Sequence, residues 1–213
     1  MRDLFPGYDV LAKRETPSWN DKTRSVIDAR MALADTAPRF FDAAEFRTLT
    51  ALCDCICPQQ RNRIPVAALV DEKMHLNHAD GYRLASMPHM REAWRRGLAA
   101  IDEAAQMLHG RAFRDCPRDS QNGMVERMSR GALDNPAWRG MSPRDFFQNR
   151  VLPDIVKSYY AHPDAWSEIG FGGPASPRGY VRMDVDQRDP WEAAEAKPGD
   201  DERALKENRR VDR

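Results

Sequence analysis

Long apolar runs are missing from this chain of 213 residues. No stretch approaches the roughly 18 consecutive apolar residues that a membrane-crossing helix needs, so direct membrane insertion is not expected. A charge of one sign is missing too: Lys and Arg number 33, and Asp and Glu number 33. Binding nucleic acid by neutralising phosphates requires a basic excess, and so does a general attachment to membrane surfaces. Neither class is expected here. Cysteines number only four, and nothing demands an oxidising compartment. No five-residue stretch alternates apolar and polar residues convincingly, so no strand is expected. The first thirty residues lack a charged segment followed by an apolar one, so no secretory signal is expected. The pair Arg95-Arg96 lies deep in a helical pattern and is no twin-arginine export signal.

The middle of the chain reads as helices. Asp42 and Glu45 form a capping-box pattern, with Phe41 and Phe46 at the staple positions around it. Leu49, Cys53 and Ile56 continue at helical spacing until Pro58. A second helix opens near Pro65, with Val66, Leu69, Val70 and Met74 on its apolar face. The longest runs from about Met90 to His109, carrying Trp94, Leu98, Ile101, Ala105 and Leu108, and Gly110 ends it. A fourth runs from about Ser120 to Leu133, with Met124, Val125 and Met128 inward. A fifth opens at Ser142-Pro143 and continues through Phe146, Phe147, Val151, Leu152, Ile155 and Tyr159. Pro153 should kink it by removing a backbone donor. The fold class is all-α: an irregular bundle of about five helices with extended N- and C-terminal arms. The divisions are an N-terminal arm over 1–38, a helical domain over 39–183 and a charged tail over 184–213.

Both arms are short of core-forming residues. The first carries Tyr8, Leu11 and Trp19 as isolated large apolar groups. The tail holds ten acidic and seven basic residues, with Trp191 its only aromatic residue. Segments of this kind bury too little surface to offset their ordering entropy alone. Tyr8, Trp19 and Trp191 are therefore expected to grip a protein partner.

Candidate chemistry meets geometric objections. Cys53, Cys55 and Cys57 are spaced two apart, about 200° around a helix, and cannot converge on one tetrahedral ion while the helix persists. Glu72, His75 and His78 match one half of a di-iron bundle motif, whose second half is not found. An independent helical metalloprotein built on these three residues remains the third-ranked reading. Residues 170–175 satisfy G-x-G-x-x-A formally. A dinucleotide site needs a strand before those glycines and a helix after them, whereas here a helix precedes and prolines follow. No Gly-x-Ser-x-Gly occurs, and the five histidines sit in no recognisable nucleophile setting. No catalytic, cofactor-binding or metal-ligating residues are expected in this chain.

One segment carries a resemblance. Its elements are Tyr160-x-His162-Pro163-x-x-Trp166, then Ile169-Gly170-Phe171-Gly172-Gly173-Pro174, then Arg178-Gly179-Tyr180. Together with the capping-box helix and the Ser142-Pro143 opening, they resemble the gluconate 2-dehydrogenase subunit 3 family across about residues 38–183. The resemblance implies a non-catalytic small subunit of an oxidoreductase complex. Its partner would be an FAD-containing catalytic subunit of the glucose-methanol-choline class that oxidises a sugar, polyol or glycoside. Some such complexes add an iron–sulfur cluster in that subunit, and some a cytochrome c subunit. The small subunit supports folding, maturation or export of the catalytic one, either as a stable subunit or as a transient chaperone. Exported complexes often place a twin-arginine signal on the small subunit, and this chain carries none. A cytoplasmic location is expected, or a periplasmic one if the partner supplies the signal. Five aromatics fall within 159–180: Tyr159, Tyr160, Trp166, Phe171 and Tyr180. Tyr and Trp are enriched at interface hot spots. These residues, with His162, Gly172, Gly173 and Pro174, are expected at the partner interface.

Overall fold

The computed structural model describes residues 3–59, 64–174 and 192–210. Among them lie eight α-helices and no strand: α1 Asp21–Met31, α2 Ala43–Ile56, α3 Val66–His75, α4 Met90–His109, α5 Arg118–Ser129, α6 over 143–159, α7 Pro163–Glu168 and α8 Asp201–Asn208. The all-α expectation holds, with more helices than the expected five. The additional ones, α1, α7 and α8, are short or polar. On α1 only Ile27 is buried, so no apolar stripe marks it in the sequence.

The chain divides into two compact units, Leu33–Tyr159 on one hand and Met1–Ala32 with Tyr160–Arg213 on the other.

The 33–159 unit forms where the sequence signals are strongest. Asp42 accepts from the backbone N–H groups of Ala44 and Glu45, and the Glu45 carboxylate accepts from Asp42 N, completing the capping box. Such a cap is worth about 1 kcal/mol. Ahead of it, the buried Asp71 carboxylate accepts from the N–H groups of Arg39, Phe40 and Phe41 at 2.7, 3.1 and 2.9 Å. This α3 side chain thereby fixes the approach to α2. Helix α4 buries Trp94, Leu98, Ile101 and Ala105. An aromatic chain crosses the core from Phe41 through Trp94 and Phe146 to Trp138, with successive centroids 6.3, 5.4 and 5.7 Å apart. Gly97 on α4 makes this possible, because a Cβ there would stand 2.2 Å from Phe146 Cζ.

Some expected positions differ. Leu108, in the last turn of α4, is exposed. Val125 is half-buried, while Leu152 is exposed. Pro153 does not produce a simple kink. Helix α6 passes from an α-turn, Pro143–Phe146, through a π-helical stretch, Phe147–Val151, into the α-helical Leu152–Tyr159. Leu152 N–H reaches back five residues to Phe147 O. The wider turn accommodates a ring that lacks the N–H an α-helix would use there.

A charged cluster is buried in the same unit. Asp154 on α6 is fully buried and accepts from Lys73 Nζ at 2.6 Å and Trp94 Nε1 at 2.8 Å. Lys73 also donates to Asp80 at 3.0 Å, and Arg150 donates to Asp80 at 3.0 Å. Burial pushes the Asp80 carboxyl pKa up, but Lys73, Arg150 and Lys157 outweigh it and leave it below the usual range.

The other unit joins both chain ends. Tyr8, Val10, Trp19, Ile27, Trp166 and Ala193 make one buried cluster, flanked by Phe5 and Leu11. Asn208 on α8 donates to Pro6 O and Ala194 O at 3.0 Å, and its Oδ1 accepts from Ala194 N. Ala196 N donates to Leu4 O at 2.8 Å. Each end thus supplies the backbone partners and apolar surface that the other lacks.

Candidate functional site

The segment over 159–174 is built from two helix boundaries and a glycine turn. Helix α6 ends at Tyr159, and His162-Pro163 opens a new helix, α7. Pro163 takes the first-turn position, where no N–H is needed, and the His162 side chain caps the helix. Nδ1 of His162 accepts from Asp164 N at 3.2 Å. Burial pushes the His162 pKa down; Asp164 opposes this and Arg30 adds to it. Arg30 is itself fixed by donating to Ala161 O at 2.8 Å. The chain then turns at Gly170 and Gly173, whose φ values of 68° and 77° favour glycine. A Cβ at Gly170 would stand 2.5 Å from Phe5, and one at Gly173 would stand 3.3 Å from Val10 and 3.4 Å from Trp19. The close approach that these glycines permit is made by the chain's own N-terminal segment.

That segment holds the loop by specific bonds. Lys13 Nζ, fully buried, donates to Gly172 O at 3.3 Å and lies 5.5 Å from the Tyr8 ring centroid. Val10 N donates to Ser167 Oγ at 3.1 Å. Burial, followed by the charges of Glu192 and Asp9, raises the Tyr8 pKa well above its usual value. Trp166 Nε1 donates to Tyr160 O at 2.6 Å, and the Trp166 ring meets Phe171 edge-on at 5.7 Å. Trp19 Nε1 is buried without an acceptor among the described residues.

The residues expected at a partner interface therefore fall into three sets among the described residues. Tyr8, Trp19, His162, Trp166 and Gly173 are buried in the unit's own core; Tyr159, Gly172 and Pro174 are half-buried. Tyr160 and Phe171 face outward, 47% and 39% exposed, and Ile169 joins them at 48%. Tyr180 and Trp191 lie outside the described residues. Lys13, Ser167 and Arg30 had no sequence signal, because their role is to reach backbone atoms far along the chain. Ile169 could have been found, as the one aliphatic residue inside the glycine motif.

The other candidate chemistries are placed as well. Cys53 and Cys116 are buried, Cys55 and Cys57 half-buried, and all four are free thiols. Burial raises each thiol pKa. Among the described residues, no three His, Cys, Asp or Glu side chains gather as a metal site. No helix among them is long and apolar enough to cross a membrane.

The fold and this segment define a class: an all-helical protein whose signature motif is spent on internal packing and on presenting a short apolar rim. The chain matches the model of the family described as gluconate 2-dehydrogenase subunit 3 over residues 43–173, and it belongs to that family. Membership implies a place in a multi-subunit dehydrogenase complex. No curated protein and no solved structure matches the chain.

Proposed function

We propose that the chain is a non-catalytic small subunit that binds and stabilises the catalytic subunit of a glucose-methanol-choline-class sugar, polyol or glycoside dehydrogenase. On this reading FAD, with an iron–sulfur cluster in some complexes, belongs to the catalytic subunit. A cytochrome c subunit completes the electron path where one is present. The observation that carries the reading is the outward set Tyr160, Ile169 and Phe171 on a loop fixed from behind. Large apolar residues exposed singly are ordinary; three within twelve residues, in the segment that carries the family's signature motif, support a contact surface there. The inward half of the motif supports a binding role, since His162 and Trp166 are committed to capping and packing.

The experiment is co-expression with a flavoprotein of the glucose-methanol-choline class and purification through one tag. Tyr160→Ser with Phe171→Ser should lower retention of the small subunit about tenfold; because Phe171 also meets Trp166 edge-on, the variant should melt somewhat lower yet stay folded. Full retention in the folded double variant overturns the assignment of this rim. Stoichiometric retention of the wild type supports a stable subunit; its loss from the mature enzyme supports a transient chaperone.

A further inference from the structure

The outward face of α4 is the floor of an open trough of about 1150 Å³ within the 33–159 unit. Arg91, Arg95, Ala99 and Glu103 lie along the floor at helical spacing. The thirteen residues from Arg91 to Glu103 span about 18 Å. That length suits a chain segment better than a small molecule.

The arginines of the trough are already held. Arg95 donates to Phe40 O at 2.9 Å, and Arg96 donates to Arg139 O at 3.2 Å. Arg39, Arg95 and Arg96 each have a carboxylate beside them, from Glu72, Glu45 and Glu92. Arg91 and Arg95 stack on Phe40, 4.8 and 4.6 Å from the ring centroid. Arg91 and Arg139 are different: both are exposed, and neither has a carboxylate partner among the described residues. Arg139 is also one of two non-glycine residues there with positive φ, at 47°.

Guanidinium groups match carboxylates with two parallel hydrogen bonds, and a pre-stacked side chain loses less freedom on binding. The trough therefore presents two guanidinium groups without a carboxylate, Arg139 and an Arg91 that stacks on Phe40 and donates to His75 O at 3.4 Å, in a concave, partly apolar setting. Glu103, which also lacks an ion-pair partner among the described residues, marks the opposite end and sets a direction.

We infer that this trough receives an acidic segment of the dehydrogenase's catalytic subunit, with its carboxylates on Arg91 and Arg139. The inference rests on the subunit reading above and adds a second contact to the Tyr160–Phe171 rim.

The test uses the full chain and the double reversal Arg91→Glu with Arg139→Glu. Both side chains are exposed, and the reversal removes the Arg91 contacts with Phe40 and His75 O, so the variant should stay folded and melt slightly below the wild type. Two readouts are taken. In the first, the isolated chain is titrated with fluorescein-labelled hexaglutamate; the reversal should weaken binding about tenfold or more, and added salt should weaken wild-type binding. In the second, the co-expressed complex is washed with rising salt; the reversal should release the small subunit at lower salt than the wild type. Equal peptide binding and equal salt resistance in the variant overturn the inference. So does hexaglutamate binding no tighter than inorganic phosphate, which would make the site one for free anions. If the wild type retains no flavoprotein but binds the peptide through these arginines, the subunit reading fails while the acidic-segment preference stands.

Discussion

Gly97→Ala is the sharpest test of how the 33–159 unit is packed. On an isolated helix this change should stabilise, because glycine in a helix interior is about 1 kcal/mol worse than alanine. Here the added Cβ would fall 2.2, 2.4 and 2.7 Å from three ring atoms of Phe146. Real Cβ atoms do not approach so closely, so the ring must move. Phe146 is fully buried and sits between Trp94 and Trp138, with centroids 5.4 and 5.7 Å away. Trp94 is held by its bond to Asp154, and Trp138 by donating to Leu133 O at 2.7 Å. Neither wall can recede without breaking a buried hydrogen bond. Overpacking of this kind costs about 1–3 kcal/mol, and each lost bond about 1 kcal/mol more. Set against the propensity gain, the net loss should be about 2 kcal/mol. For a chain of this length that lowers the melting temperature by about 4–8 °C. Thermal unfolding followed by circular dichroism measures it, and Gly97→Ala with Phe146→Leu should recover much of the loss. A single variant as stable as the wild type would falsify the close-packing argument.

Two further outcomes follow from buried charge. Asp154→Ala leaves Trp94 Nε1 without its acceptor and Lys73 and Arg150 with Asp80 as their remaining carboxylate, and should cost about 1–3 kcal/mol by denaturant unfolding. A loss below about 1 kcal/mol would mean that the cluster is solvated and weak. His162, whose pKa is lowered, binds a proton less readily folded than unfolded. Its contribution is therefore complete above the ordinary value near pH 6.5 and is lost as pH falls below it. His162→Asn keeps a capping side chain but cannot titrate, so its stability between about pH 5 and 7 should be flatter than the wild type's. Parallel curves would remove His162 as the cause.

The five central helices were legible because their signals are local. A cap, a first-turn proline, a terminal glycine and a 3.6-residue period each act within a few positions. The Asp42–Glu45 box and the Gly110 stop appear where those residues stand. Polar residues on an inner face break such patterns, so nothing local marks Asp154, Arg150 and Asp71 as buried. They are buried because Lys73, Trp94 and the 39–41 backbone meet them from other elements. Half of the candidate site was legible in the same way: the motif's residues were visible, but not which side each would take.

By itself the sequence determined the helices of the middle, the turn residues of the motif and the family. Tertiary structure decided what the ends do. Tyr8 and Trp19 have no core of their own, and only the arrival of Trp166, Gly173 and Ala193 from beyond residue 160 gives them one. Burial of apolar surface is non-directional and blind to sequence distance. It leaves no periodic mark in segments whose partners lie more than a hundred residues away. Once that burial is satisfied, Tyr160, Ile169 and Phe171 are the apolar residues of the motif left facing outward.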